Sequence, residues 1–124
     1  MRRYTLTPTA AEHLDQIGID TNKRWGRAQT RKYLSELRDG FQRIAERHEN
    51  LPIKRPLANV TDLRVHSIRS HFAAFVVLTT EHTAIVAVLH QHMDVPTRLS
   101  ELQGRTANEV GDLRAGLLRG QFKD

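Results

Sequence analysis

The periodicity of apolar positions changes twice along the chain. A short extended entry, RRYTL at residues 2–6, puts Tyr4 and Leu6 on one face. Thr7-Pro8 then supplies an N-cap followed by proline at the first helical position. Ala10, Leu14, Ile17, Thr21 and Trp25 recur at helical spacing and predict an amphipathic helix ending near Gly26. Leu34, Leu37, Phe41 and Ile44 repeat the pattern for a second helix. The short connection at Trp25-Gly26 makes the two antiparallel neighbours, an αα-hairpin. Trp25, the only tryptophan, is expected between this hairpin and a sheet, a partner-binding hot spot being the alternative.

From Glu49 to Asn59, ENLPIKRPLAN, two prolines and no period predict a loop. Extended patterns follow. Residues 61–68 alternate, Leu63 and Val65 facing one way, Arg64 and His66 the other. The runs FAAFVVLT (72–79) and AIVAVLH (84–90) are apolar on both faces, and with the links RSH and TEHT they predict a three-stranded antiparallel meander. A hairpin can cover only one face of such a sheet. The second must be masked by the chain's own C-terminal segment or by another protein. PTRLSELQ (96–103) suits a helical turn or two, and Val110, Leu113 and Leu117 continue at helical spacing. Glycines at 104, 111, 116 and 120 weaken that helix, each by about 1 kcal/mol relative to alanine. Such a segment is helical when docked and otherwise partly disordered. The fold class is α+β, with a domain over 1–103 and an extension over 104–124.

Composition narrows the possibilities. At 124 residues the chain is one domain, able to bury about two-thirds of its unfolded surface. With no cysteine there is no disulfide, thiolate nucleophile or cysteine-based zinc site. FAAFVVL is too short to cross a bilayer, and MRRYTLTP lacks the apolar stretch of an export signal, so a cytoplasmic protein without a membrane partner is expected. Residues 1–60 carry 12 Lys/Arg against 7 Asp/Glu, whereas residues 61–124 carry 7 of each. The whole net charge of +5 therefore lies in the first half, chiefly in KRWGRAQTRKYLSELRDGFQRIAER. It suits an acidic partner, nucleic acid or protein, unless it serves only as a solvated helix face.

Several stretches in this order resemble the ParE/RelE superfamily of type II toxins, the ParE branch more closely. YTLTPTAAEHLDQI is similar to the family's opening strand and proline-started helix, and WGRAQTRKYLSELRDGFQRIAE to its second helix. LPIKRPL resembles the connecting loop, LRVHSIRSHFAAFVV the arginine-bearing and aromatic strands, and VLHQHMDVPTRL the closing strand with its Met-Asp turn. The likeness spans residues 4–99. It implies a toxin neutralised by a ParD-like antitoxin. ParE-like members poison DNA gyrase; RelE-like members cut messenger RNA on the ribosome. By the ParE reading the chain acts by binding, has no cofactor, and meets nucleic acid only indirectly, through gyrase or the antitoxin complex. Arg64, Arg69, His92, Met93 and Asp94 are the expected target contacts. Phe72, Phe75, Val86, Val88 and Leu99 are the expected antitoxin contacts.

RNA cleavage needs a base for the 2′-hydroxyl, cations for the phosphorane and an acid for the leaving oxygen. The RelE-like tyrosine near the C-terminus is missing, because Tyr4 and Tyr33 both precede the meander; lysine is absent between Lys54 and Lys123. The ribonuclease alternative would have to assemble His90, His92, Arg64 and Arg69, with His66 in reach, on one sheet face. His90 and His92, sharing a strand face, suggest metal chelation, but a stable site needs a third ligand; Asp94 and His66 are the only candidates and no metal is expected. Met93 reads either as gap-filling core or as an adaptable binding edge.

Overall fold

The computed structural model describes residues 2–51 and 63–118. The elements run β1 (Arg3–Leu6), α1 (Pro8–Arg47), β2 (Leu63–Ile68), β3 (His71–Thr79), β4 (His82–His90), α2 (Val95–Glu101) and α3 (Gln103–Leu118). The proline loop expected between α1 and β2 lies, beyond Leu51, outside the described residues.

The two expected helices form one helical element with a break. Gly26 sits at φ 85°, ψ 177°, a conformation that glycine adopts at little steric cost, and there the chain folds back. A Cβ on Gly18 would lie 3.6 Å from Leu34 Cδ1, although an unbroken helix would hold those positions about 24 Å apart. The αα-hairpin is therefore real, and α1 has two arms. Its N-terminus leaves few free donors. Pro8 has none, Ala10 N–H donates to Thr7 Oγ1 at 3.2 Å and Ala11 N–H to the Thr7 carbonyl at 2.9 Å. Thr9 N–H and Oγ1–H both donate to Glu109, at 3.2 and 2.9 Å. This cap reaches across from α3, 100 residues away in sequence.

The sheet order is β1-β4-β3-β2. β2, β3 and β4 form the expected antiparallel meander, while β1 adds to β4 in parallel, Leu6 opposite Ile85. Between the pairs Ala74–Ala87 and Phe75–Ile85, β4 advances two residues to β3's one. Val86 is the extra residue of a β-bulge. Below the bulge Ile85 faces the hairpin and above it Val88 does, while Val86, Ala87 and Leu89 face the other way. Past the end of β1, the Val88 N–H donates to His13 Nδ1 of α1 at 3.1 Å, so this central strand keeps its donor satisfied. Burial lowers the His13 pKa, which favours the neutral ring that can accept this bond.

Two apolar clusters lie on opposite faces of the sheet. On one, Ala10, Leu14, Leu37, Phe41 and Ile44 of the hairpin pack on Ile68, Ala73, Phe75, Ile85 and Val88. On the other, Leu63, Val65, Ala74, Val76, Ala84, Val86, Ala87 and Leu89 are covered by Leu99, with Val95, Leu102, Val110 and Leu113 of α2 and α3 beside it. Of the two masks open to the sequence, the chain's own C-terminal segment fills the role. Of the residues 104–124 expected as an extension, those up to Leu118 are described and lie in α3, and Arg105 adds an exposed ion pair to Glu12 of α1 at 3.1 Å. No described helix is long and apolar enough to cross a membrane.

Trp25 departs from expectation. Its exposure is 69%, because the arms grip the sheet through Ala10, Leu14 and the stretch Leu37–Ile44, and the tip runs on past it. Eleven residues separate Leu14 from Trp25, about 16 Å of helix axis.

The closest approach between helix and sheet is at Gly40, where an added Cβ would meet three Ile68 side-chain carbons at 2.6, 2.8 and 2.9 Å. Gly40→Ala should therefore destabilise the fold by about 1–3 kcal/mol despite alanine's better helix propensity. Adding Ile68→Val should recover part of the loss. Urea unfolding of the three chains checks this; a Gly40→Ala protein as stable as wild type would contradict the packing.

Candidate functional site

The end of the sheet where β2 turns into β3 and β4 exits gathers most of the polar residues singled out by the sequence. Ile68 and His71 pair across a two-residue turn, so Arg69 and Ser70 form its tip. Arg69 is the only non-glycine residue with positive φ (56°) among those described, a conformation costing about 1–2 kcal/mol. Its guanidinium grips Glu36 of α1 with Nε at 3.0 Å and Nη2 at 3.1 Å. The Gln91 N–H donates to the Ser70 carbonyl at 2.9 Å and ties the exit of β4 to this turn.

Register then creates a row of rings. His71 lies opposite His90, with centroids 5.1 Å apart, and His90 lies 4.9 Å from His92. The Tyr33 hydroxyl of α1 closes the row at 2.6 Å from His71 Nδ1. Burial raises the Tyr33 pKa and keeps the phenol protonated. Burial also depresses His71 to about 4, the neighbouring His90 acting in the same direction. A neutral His71 with an unprotonated Nδ1 is thus the natural acceptor for the tyrosine O–H. His90 Nδ1 accepts from the His92 N–H at 3.1 Å, and the Met93 N–H donates to the His90 carbonyl at 3.0 Å. HQHMDVP is the exit turn of the sheet.

The expected residues divide. Arg69, His92 and Met93 are exposed at this sheet end, Met93 at 43%, which favours the binding-edge reading over core. Asp94 is the N-cap of α2, accepting from Thr97 N–H at 3.3 Å and Thr97 Oγ1–H at 2.8 Å. Arg64 lies opposite Phe75 near the far end of β2, about 17 Å along the strand from Arg69. The four residues required for RNA cleavage are therefore not all brought together, because Arg64 lies at the other end of the sheet from Arg69, His90 and His92. Among the described residues no three His, Asp or Glu side chains converge as metal ligands.

The residues expected to meet an antitoxin do not share a surface. Phe75 and Val88 are buried under the hairpin; Val86 is buried on the opposite face, and Leu99 is the α2 side chain that packs down onto that face. Phe72 alone of the five is partly accessible. Strand alternation separates Phe72 from Phe75, and the bulge separates Val86 from Val88. The sequence reading missed Tyr33 and His71. The alternation of the 72–79 run put no weight on position 71, and only the register places it against His90. An open groove of about 730 Å³ lies elsewhere, between the arms of α1, with Leu14, Gly18, Ile19 and Leu34 in its lining and Arg27, Arg31 and Arg38 beside them.

His71 gives the site a pH signature. An unfolded histidine takes up its proton near 6.5, whereas folded His71 resists protonation until about 4. Its contribution to stability is complete above about pH 6.5 and is lost as pH falls through that window, on the order of 3 kcal/mol in total. His13 and His48, also depressed by burial, act in the same direction. Denaturant midpoints of wild type and His71→Phe at pH 7.5 and 4.5 test this. The variant should show a distinctly smaller loss on acidification; an unchanged loss would contradict the assignment.

Comparison with known proteins fits the fold. Residues 4–95 match the family described as ParE toxin of the type II toxin–antitoxin system, parDE. Toxin ParE of Escherichia coli is 33% identical over 101 residues, covering 82% of this chain and 96% of the relative. Toxin ParE1 of Mycobacterium tuberculosis is 39% identical over 99 residues, covering 78% and 97%. A solved structure titled "Chromosomal ParDE TA system from P. aeruginosa" superposes with a TM-score of 0.60 at 18% identity, covering 73% of this chain and 96% of that one, a likeness of fold. These relatives carry the ParE name, and the chain is accordingly a toxin rather than an RNA-cleaving enzyme. It belongs to the ParE toxin family of type II toxin–antitoxin systems.

Proposed function

We propose that this toxin acts in the cytoplasm by binding DNA gyrase and holding it in its DNA-cleaved state, and that a ParD-like antitoxin neutralises it. The family match over residues 4–95 carries this reading. The solved relative's title names a ParDE system, which supports a ParD-like partner here. The target surface is the sheet end bearing Arg69, His92 and Met93. These three are exposed on adjoining turns; Arg69 has a positive φ in the two-residue β2–β3 turn and its side chain pairs with Glu36. Arg64 and Asp94, expected contacts from the sequence, fit less well: one is distant and the other caps a helix. The antitoxin reaches Phe72 directly, but Val86, and the inward face of α2 that carries Leu99, only if α2 and α3 lift from the sheet.

Purified protein added to a gyrase supercoiling reaction and to a translation reaction separates this reading from the ribonuclease alternative. Supercoiling should fail with accumulation of cleaved DNA, while translation continues. Arg69→Glu combined with Met93→Ala should weaken gyrase inhibition tenfold or more without loss of secondary structure. Codon-specific mRNA cuts abolished by His90→Ala or His92→Ala would overturn it. A small companion encoded beside this chain should co-purify with it.

A further inference from the structure

The exposed tip of the α1 hairpin concentrates charge in a way that no other described part of the molecule does. Between Lys23 and Lys32 the chain carries five cations, Lys23, Arg24, Arg27, Arg31 and Lys32, and no carboxylate; all five are exposed. Among the described residues none of them makes an ion pair. Elsewhere Arg2, Arg69, Arg98 and Arg105 each hold a glutamate at 2.6 to 3.3 Å. Of the nearby acids, Asp20 accepts from the Gln16 side-chain amide at 2.9 Å, Glu36 is gripped by Arg69, and Asp15 lines the groove between the arms without a salt bridge to the five cations. In the middle of the five stands Trp25, 69% exposed, next to a glycine around which a Cβ would meet nothing within 4 Å.

Five like charges within ten residues repel one another, since several lie within the Debye length of about 8 Å at physiological salt. Among the described residues no salt bridge relieves that repulsion; a polyanion would. The indole decides which kind. A tryptophan anchor in a protein interface fills a pocket of its partner, while an unpacked indole on a convex tip presents a flat face, the geometry on which an unpaired nucleobase stacks. Arg27 and Arg31, four apart on one arm, stand about 5–6 Å from each other and can take neighbouring phosphates. The ParE resemblance implies only indirect contact with nucleic acid, whereas the tip offers a direct one. Trp25 supplies an exposed aromatic face at the helix tip. We propose that the α1 tip docks single-stranded nucleic acid, Trp25 stacking on an unpaired base while Lys23, Arg24, Arg27, Arg31 and Lys32 hold the phosphates. This does not depend on gyrase being the target.

Because Trp25 is the only tryptophan, the full-length protein reports on its own tip. Intrinsic emission is followed during titration with an oligothymidylate of about twenty nucleotides, a duplex of equal phosphate number, and polyglutamate of equal charge. Affinities come from anisotropy of the labelled ligands at several salt concentrations. The oligothymidylate should quench Trp25 and bind tightest. Trp25→Ala should weaken it roughly tenfold or more with the thermal midpoint unchanged. Arg27→Gln with Arg31→Gln should flatten the log K against log salt slope by about 1.4. Absent quenching at low salt, duplex or polyglutamate binding at least as tight, or indifference to Trp25→Ala would each overturn the proposal.

Discussion

A sheet whose two longest strands are apolar on both faces cannot stand in water with one face covered. That constraint accounts for most of this molecule. β3 and β4 bury residues on both sides, so each face needs its own lid. The hairpin supplies one, approaching so closely at Gly40 that no side chain fits there. α2 and α3 supply the other, and they do so from within the same chain. Residues at the sheet end are then left to face outward, which is where Arg69, His92 and Met93 lie.

The two lids are not equally secure. The hairpin contributes Leu37, Phe41 and Ile44 with no measurable exposure, and His13 satisfies a backbone donor of β4. The second lid depends on Leu99 and on Val110 and Leu113, which remain partly exposed, on a helix whose glycines at 104 and 111 are not required by any close contact. Each of those glycines costs α3 about 1 kcal/mol relative to alanine. What fixes α3 in place is polar: Glu109 completes the N-terminal cap of α1, where the helix dipole favours a carboxylate. A lid held by a cap and a thin apolar seam is one that a competing apolar segment can displace, whereas the hairpin is not.

Local pattern revealed much of this in advance. Helical spacing and Thr7-Pro8 located α1 and its break; the change to extended runs located β2, β3 and β4; and the doubly apolar strands called for a second lid. Contacts remote in sequence were not legible. Nothing in RRYTL says that it pairs in parallel with β4, and no period shows that Glu109 caps Thr9. Alternation placed Val86 and Val88 on one face, and a single bulge residue separated them. Trp25 fitted the helical period, but periodicity gives only the face of a helix and not how far the helix extends past its support. At the sheet end, His90 and His92 stood out as a pair, yet their neighbours His71 and Tyr33 follow from strand register and hairpin packing.

The central claim is that α3, together with α2, is the lid of the second apolar face. Replacing Val110 and Leu113 together with aspartate leaves the hairpin side untouched and tests it directly, with hydrogen exchange of β3 and β4 and binding of a hydrophobic dye as readouts. If the claim holds, circular dichroism retains the strands and α1, dye binding rises sharply, and amides around Val76 and Val86 exchange faster. Unchanged dye binding and unchanged exchange, with the protein still folded, would contradict it.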